Sequence, residues 1–208
     1  MPTNPFTSPV TLDHAVASVQ PLSHEYLQDL QAATADGNLS QLWFTTVPTV
    51  AGMAGEVDRR LSLQAAGSMN PFAVISHAPG PLQGKAVGMT TYMNIDAANR
   101  RVEIGSTWYR AAVQRSAVNT VCKRLLLAHA FETLGCIAVE FRTHFMNHAS
   151  RKGIERLGAK LDGVLRNHML MHSEQHGTTV RDTCVYSITA PEWPAVKAHL
   201  DFQLSKPR

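Results

Sequence analysis

The chain of 208 residues has no long apolar run and no strong excess of either charge. No stretch reaches the roughly 20 apolar residues that a membrane span requires, and residues 1–9 lack the charged start and apolar run of a secretory signal. The 19 basic and 16 acidic residues leave a formal net charge of +3 and are scattered along the chain. We therefore expect neither a membrane span nor a nucleic-acid interface.

Cysteine is also scarce, because the chain has only Cys122, Cys136 and Cys184. This odd number without a paired metal spacing predicts reduced, packed thiols and a cytoplasmic location. Two pairs of histidines lie four residues apart, His144 with His148 and His168 with His172. Neither pair has a third ligand at a spacing typical of zinc, so we predict no metal site.

The remaining composition is that of one globular domain. Hydrophobic residues make up 44% of the chain, which is enough to bury a sizeable core without a disulfide or a metal. The chain shows no internal repeat and no linker long enough to separate domains. We therefore predict an N-terminal tail over residues 1–12 and a single domain over residues 13–208.

Alternating and apolar segments, with their turn and cap residues, predict secondary structure throughout this domain. The predicted strands cover residues 14–20, 72–76, 85–95, 102–108, 137–143, 163–171 and 180–188. The predicted helices cover residues 23–33, 50–66, 121–134 and 147–157. A last helix is predicted from Pro191, behind a Thr189–Glu192 capping box, and a polar loop over residues 173–179. Strands interspersed with helices predict a mixed sheet of the α/β or α+β class.

The most informative segment covers residues 102–158, where a strand is followed by small and polar residues from Gln114 and then by an apolar helix. The start of a helix presents unpaired amides and a partial positive charge, which suit a phosphate group. Nearby Arg115, Lys123 and Arg124 could add positive charge. An ordinary strand-to-helix turn explains the same spacing, because no glycine marks this turn as in the better-known phosphate loops.

A second strand and a short helix complete this segment. Asn147 stands where the N-cap of the short helix belongs, and Gly158 stops the helix. As a cap alone, Asn147 would contribute roughly 0.5–2 kcal/mol to the helix and nothing to catalysis.

Several pieces of this segment form one pattern: Glu103-Ile-Gly105, Gln114-Arg-Ser-Ala-Val-Asn119, His129-Ala-Phe-Glu-Thr-Leu-Gly135, and Asn147-x-x-Ser150 ahead of Glu155-Arg-Leu-Gly158. The pattern resembles the GNAT superfamily of N-acetyltransferases and, within it, the RimJ/RimL-type branch. The similarity covers nearly the whole chain. It implies a central mixed, mostly antiparallel sheet flanked by helices, acetyl-CoA as cofactor, and an acceptor side lined by the helices over residues 23–33 and 50–66.

The resemblance also implies site residues. Those expected to bind the cofactor are Trp108, Gln114, Arg115, Ser116, Ala117, Val118, Asn119, Thr120, Asn147 and Ser150. Amide formation requires the removal of one proton from the acceptor amine, and Glu103 lies on the strand where donor and acceptor should meet. We therefore predict Glu103 as the general base. The alternative is a strand carboxylate that merely pairs with Arg101 or Arg142.

The chain departs from the family pattern at two positions. The usual pyrophosphate signature has a glycine where this chain has Arg115, and only Ala117 matches it, so side chains could hold the phosphates together with backbone amides. The tyrosine that usually protonates the departing thiolate, seven residues after Asn147, is Ile154 here. We predict Ser150 as its substitute.

The sequence thus predicts an acetyl-CoA-dependent N-acetyltransferase that moves an acetyl group directly to a primary amine, either a protein N-terminus or a small amine or amino acid. His168, Asp182 or Tyr186 could orient the amine. Trp43 and Phe44 could form an apolar wall for it, although core packing is the favoured interpretation of these aromatic residues. The alternative is a non-catalytic acyl-CoA-binding regulatory module, which the missing tyrosine and the altered glycine position favour. The resemblance leaves a homodimer open.

Overall fold

The computed structural model describes residues 4–173 and 177–206. Its strands are β1 Ala17–Pro21, β2 Met69–Ser76, β3 Ala86–Asp96, β4 Arg101–Tyr109, β5 Ala138–His144, β6 Lys160–Ser173 and β7 Gly177–Thr189. They form one sheet in the order β1-β2-β3-β4-β5-β7-β6. Neighbouring strands in this described sheet are antiparallel except β4 and β5, which are parallel. The predicted mixed, mostly antiparallel sheet is confirmed.

Helices flank this sheet. The described α-helices are α1 Leu27–Ala35, α2 Met53–Ala65, α3 Val118–Ala128, α4 His148–Arg156 and α5 Trp193–Ser205. A π-helical turn, His129–Thr133, continues α3, so the helix predicted over residues 121–134 begins earlier and ends in a wider turn. Before α5, the Glu192 carboxylate accepts the backbone amide of Thr189 at 2.9 Å, and the predicted capping box is confirmed.

The two faces of the sheet carry separate buried clusters, because successive strand residues point to opposite sides. On β2, Phe72 and Val74 belong to a cluster with α3, α4 and α5. Their neighbours Ala73 and Ile75 belong to a second cluster with α1 and α2. Helix α1 packs on β3 and α2 on β2. A site between β4 and β5 is therefore reached by α3 from one face and by α2 from the other.

The hairpin of β6 and β7 is longer than predicted. Residue pairs continue to Ser173 and Gly177. Antiparallel pairing thus continues into both described ends of the predicted polar loop, which are residues 173 and 177–179. These residues belong to strands and not to a loop. The centre of that predicted loop, residues 174–176, lies outside the described residues.

The described part of the predicted N-terminal tail packs against the sheet. Phe6 is buried in the cluster that contains α3, and Leu12 forms a bridge with Val19 of β1. The Asn70 side-chain amide donates to the carbonyl oxygens of Phe6 and Ser8 at 3.1 and 3.0 Å. Residues 4–12 thus contribute to the folded core. Within the described ranges, no helix has the length and apolar character needed to cross a membrane.

Candidate active site

The parallel pair of β4 and β5 opens toward the carboxyl ends of the two strands. Their paired residues end at Glu103 and Glu140, although β4 continues to Tyr109 and β5 to His144. Beyond the last pair, the facing backbone edges are not joined as a ladder, so their N–H and C=O groups can bind a ligand. An extended ligand can therefore insert between the two strands.

A bulge on β4 lies within this opening. The register with β3 shifts between the pair Met89–Trp108 and the pair Thr91–Gly105, which leaves one extra residue on β4. Ser106, inside the bulge, has a φ of 48°. A positive φ is uncommon for a serine, so the surrounding contacts must hold this backbone in place.

The first turn of α3 forms a cradle of backbone amides. Ala117 is the N-cap, and the Val118 amide donates to the Ser116 hydroxyl at 3.2 Å. The amides of Ala117, Asn119 and Thr120 donate to no other described residue. Unpaired amides at a helix start bind anions, so this turn fits a pyrophosphate.

Arg115 occupies the position where the family pattern has a glycine, and it keeps a glycine-like backbone. Its φ is 60°, in the left-handed region that glycine adopts without strain and other residues adopt at a cost. The loop therefore follows the path that the glycine would provide. The side chain is exposed, which leaves its guanidinium accessible to a phosphate.

The other two basic residues expected near this helix start point elsewhere. Arg124 is paired with Asp201 of α5, with Nε 2.8 Å from Oδ1, and Lys123 is buried against the sheet. The expectation that they add charge for a phosphate is wrong, because residues 123 and 124 lie on the faces of α3 that contact the sheet and α5. Of the three predicted cations, only Arg115 is placed for that role.

The start of α4 carries the two other polar residues predicted for the cofactor. The Asn147 side-chain oxygen accepts the Ser150 amide at 3.0 Å, so the predicted N-cap is confirmed. The Asn147 amide nitrogen and the Ser150 hydroxyl make no hydrogen bond with a described residue. At the other end of α4, Arg156 donates to the Thr120 hydroxyl at 3.2 Å. The C-terminal end of α4 therefore lies beside the first turn of α3, and both helix starts retain free polar groups.

The remaining predicted cofactor residues differ in placement. Gln114 is exposed and donates to the carbonyl oxygen of Tyr109 at 2.9 Å. Trp108 is 5% exposed and belongs to the cluster of α1 and α2. Its side chain thus packs on the face of the sheet opposite α3, while its backbone lies at the opening.

Glu103 is a buried carboxylate at the last paired position of β4, and 5% of its surface is exposed. Asn94 donates to its Oε2 at 2.7 Å, and the Arg142 Nε lies 3.5 Å from the same atom. Burial raises the pKa of Glu103 above its ordinary value, against the opposing effects of Asn94 and Arg142. Gly105 leaves room for the carboxylate, because a Cβ there would lie 2.7 Å from its Oε1. A carboxylate with a raised pKa is a suitable general base near neutral pH.

The neighbouring residues on the open face of the sheet form a charge network. Glu140 accepts hydrogen bonds from Arg101 and from Arg142. Although burial alone would raise the pKa of Glu140, these hydrogen bonds lower it. The network lines a shallow cavity of about 520 Å³ together with Asp162 and Ser187. Of the two arginines considered as partners of Glu103, Arg142 is adjacent and Arg101 binds Glu140 instead.

At the far end of the opening, Trp43 and His144 form an aromatic corner, with ring centroids 5.0 Å apart. His144 is buried, and its Nδ1 accepts the Met146 amide at 3.0 Å. In the neutral ring the proton therefore lies on Nε2, which has no hydrogen-bond partner in the described structure. A buried N–H without a partner is costly.

The structure separates the other candidates for orienting an amine. Tyr186 is fully buried, and its hydroxyl donates to Glu155 of α4 at 2.9 Å. It is therefore a core residue on the α4 face and cannot orient an acceptor. Asp182 is paired with Arg166 at 2.6 Å, and the His168 ring lies 3.0 Å from the hydroxyl of Thr183.

Two buried basic residues lie at the bulge, of which the sequence analysis missed Arg60 and assigned Lys123 to the phosphate instead. Arg60 follows Met53 and Val57 on the buried stripe of α2, and Lys123 precedes Leu126 and Leu127 on that of α3. Residues three and four apart share one face of a helix. A charged residue at a position where a helix otherwise buries apolar side chains is therefore the sequence signal that could have identified both residues.

The described residues hold no group of three or more His, Cys, Asp or Glu side chains that could bind a metal. The three cysteines are free and buried.

These features match one enzyme family. The family model of the acetyltransferase (GNAT) domain matches residues 18–160. The chain therefore belongs to the GNAT N-acetyltransferase family.

Individual relatives agree with this assignment. The chain is 30% identical over 114 residues to YdaF of Bacillus subtilis (strain 168), which is provisionally named a ribosomal N-acetyltransferase. That match covers 55% of this chain and 59% of YdaF, less than two thirds of the relative.

Two solved structures extend the likeness. A GCN5-related N-acetyltransferase from Brucella melitensis has a TM-score of 0.83 and 28% identity, over 97% of this chain and 88% of that chain. RimJ of Mycobacterium smegmatis in complex with CoA-disulfide has a TM-score of 0.73, covers 95% of this chain and 93% of its own, and at 19% identity shows the fold alone.

Proposed function

We propose that the protein transfers an acetyl group from acetyl-CoA directly to a primary amine, with the N-terminal amine of a protein as the leading acceptor class. The observation that carries the proposal is the position of Glu103, a buried carboxylate with a raised pKa, where β4 and β5 separate. The name of YdaF and the accessible charged face beside Glu103 support a protein acceptor. A small amine or amino acid remains the second acceptor class.

Each group of the chain has a defined role in this proposal. The free amides of Ala117, Asn119 and Thr120 would hold the pyrophosphate of CoA, and the Asn147 amide nitrogen would donate a further hydrogen bond. Acetyl-CoA, when bound, supplies the activated thioester. The open edge of β4 would donate to the thioester carbonyl and stabilise negative charge that develops on its oxygen.

Two side chains would move the protons. Glu103 would take a proton from the acceptor amine, directly or through a water molecule. The Ser150 hydroxyl would protonate the departing thiolate, in place of the tyrosine that Ile154 replaces, and would recover a proton from water, while Glu103 returns the amine proton to solvent. Because the amine can attack the thioester directly, no cysteine nucleophile is needed, in agreement with three buried thiols.

The test is a calorimetric titration with acetyl-CoA, followed by thiol release with N-terminal peptides, small amines and amino acids. We expect binding and release, with peptides as the faster acceptors. If only small amines release thiol, the acceptor is a small amine and not a protein N-terminus. The alternative, a non-catalytic acyl-CoA-binding module, predicts binding without release for every acceptor, and absence of binding would contradict both functions.

A further inference from the structure

The bulge of β4 is held from the α2 face by a buried guanidinium. Arg60 is 2% exposed, and its Nη2 donates to the carbonyl oxygen of Ser106 at 3.2 Å. Its Nη1 donates to the Thr91 hydroxyl at 2.7 Å, and its Nε to Glu56 at 2.7 Å. The planar, multiple-donor group of an arginine thus connects α2, β3 and the bulge in one fixed geometry.

The same bulge is held from the α3 face by a buried ammonium. Lys123 is 6% exposed, and its Nζ donates to the hydroxyls of Thr107 at 2.8 Å and Thr90 at 3.3 Å. These two hydroxyls are themselves 2.8 Å apart. Lys123 forms no ion pair with a described residue, and burial lowers its pKa to about 7.

Packing alone does not require a lysine at this position. An amine buried without a carboxylate partner is costly, and replacing buried charged groups by apolar residues of similar volume is often neutral or stabilising. Lys123 and Arg60 contact adjacent residues of one bulge, from opposite faces of the sheet. Their shared target is the backbone that must present its amides to a reacting carbonyl.

We propose that Arg60 and Lys123 are positioning residues that fix the Ser106–Thr107 bulge of β4 for acetyl transfer. The inference rests on the proposed acetyltransferase function. Helix α3 then carries both the pyrophosphate cradle at its start and the ammonium that holds the bulge, so one rigid helix sets the distance between the two parts of the cofactor site. Arg60 connects the bulge to α2 on the acceptor face in the same way.

The main test uses Lys123→Met and Thr107→Val, singly and together, with steady-state kinetics and thermal unfolding. We expect each single variant to lower kcat about tenfold to a hundredfold, since misplacement of reacting groups by 1 Å has effects of this size. The KM for acetyl-CoA should change less than twofold. The double variant should lose no more activity than the worse single variant, because both changes break one contact.

The controls separate positioning from folding. Lys123→Met should have a melting temperature equal to or above that of the wild type, whereas Thr107→Ser should restore activity because it retains the hydroxyl. Arg60→Lys should lower kcat while Arg59→Lys does not, since Arg59 binds the same Glu56 but is exposed and does not contact the bulge.

Three outcomes would overturn the inference: wild-type kcat in the Lys123 and Arg60 variants, multiplicative losses in the double variant, or a loss of kcat that follows the melting temperature. If the wild type itself releases no thiol with any acceptor, the proposed function fails instead, and this result is distinct from the other three.

Discussion

The two sides of the opening between β4 and β5 use different chemistry. On the proposed cofactor side, the available groups are mainly backbone amides at the start of α3 and cap groups at the start of α4. On the proposed acceptor side, Glu103 lies in a network of charged side chains from β4 and β5, beside a cavity that the β6–β7 hairpin also lines. Backbone groups suit a cofactor of fixed shape, whereas the side-chain network surrounds the one carboxylate that we propose as the base.

Replacing the carboxylate should have the largest effect on the acceptor side. We expect Glu103→Gln to lower kcat by about 10²–10⁴-fold, the usual contribution of general base catalysis, and to leave the affinity for CoA nearly unchanged. Glu140→Gln is the matched control, because Glu140 lies opposite Glu103 on β5 and is held by two arginines. Equal losses in both variants would assign the effect to the charge network rather than to a base.

The pH dependence of activity and of stability should report on the raised pKa of Glu103. Because the pKa of Glu103 is raised in the folded protein, its carboxylate is protonated at a pH above the ordinary range of a glutamate. If Glu103 is the base, we expect kcat to fall over the same pH range. Between the ordinary and the raised pKa the folded state binds more protons than the unfolded state, so this group increases stability as the pH falls through that window. In Glu103→Gln, both the loss of kcat at low pH and the gain in unfolding free energy as the pH falls should be absent, as measured by kinetics and denaturant titration across this pH range.

On the cofactor side, steric blockage should have the largest effect. Ala117→Trp would place a large side chain at the N-cap of α3, next to the free amides. We expect CoA affinity to fall at least about a hundredfold, equivalent to ~2.7 kcal/mol, as measured by calorimetry. Ala97→Trp, in the exposed turn between β3 and β4, should bind CoA normally. Unchanged affinity in Ala117→Trp would remove this turn from the cofactor site.

The two roles of Asn147 can be separated by a pair of variants. Asn147→Ala removes both the cap oxygen and the free amide nitrogen, so stability should fall by about 0.5–2 kcal/mol and CoA affinity by about tenfold. Asn147→Asp keeps a cap acceptor, removes the donor and adds a negative charge, which is favourable for the helix start but repels a phosphate. It should therefore retain the melting temperature and lose the affinity. If Asn147→Asp binds CoA as the wild type does, Asn147 is a cap alone.

The comparison also explains which features the sequence predicts. The N-cap at Asn147, the Thr189–Glu192 capping box and most strands were correctly predicted, because each depends on residues close together in the chain. The amide cradle of α3 has the same local origin.

The bulge of β4 depends on long-range contacts, and the sequence did not predict its surroundings. The contacts between Lys123 and Thr107, and between Arg60 and Ser106, join residues 16 and 46 positions apart. The sequence analysis therefore grouped Lys123 with the phosphate-binding cations, although its side chain points toward the bulge. The tertiary position of a helix face decides whether its lysine meets solvent or a bulge.

The backbone and the side chain of Arg115 can be tested separately, and the expected effect on stability is the smallest of those predicted here. Its left-handed backbone is costly for an arginine, so Arg115→Gly should raise the free energy of unfolding by up to about 1 kcal/mol, as measured by denaturant titration. Arg115→Ala removes the same side chain and keeps most of the backbone strain. If backbone amides hold the pyrophosphate, both variants should retain CoA affinity at physiological salt. If the guanidinium contributes, both should lose affinity, more strongly at low ionic strength, and the cofactor side would then share the side-chain chemistry of the acceptor side.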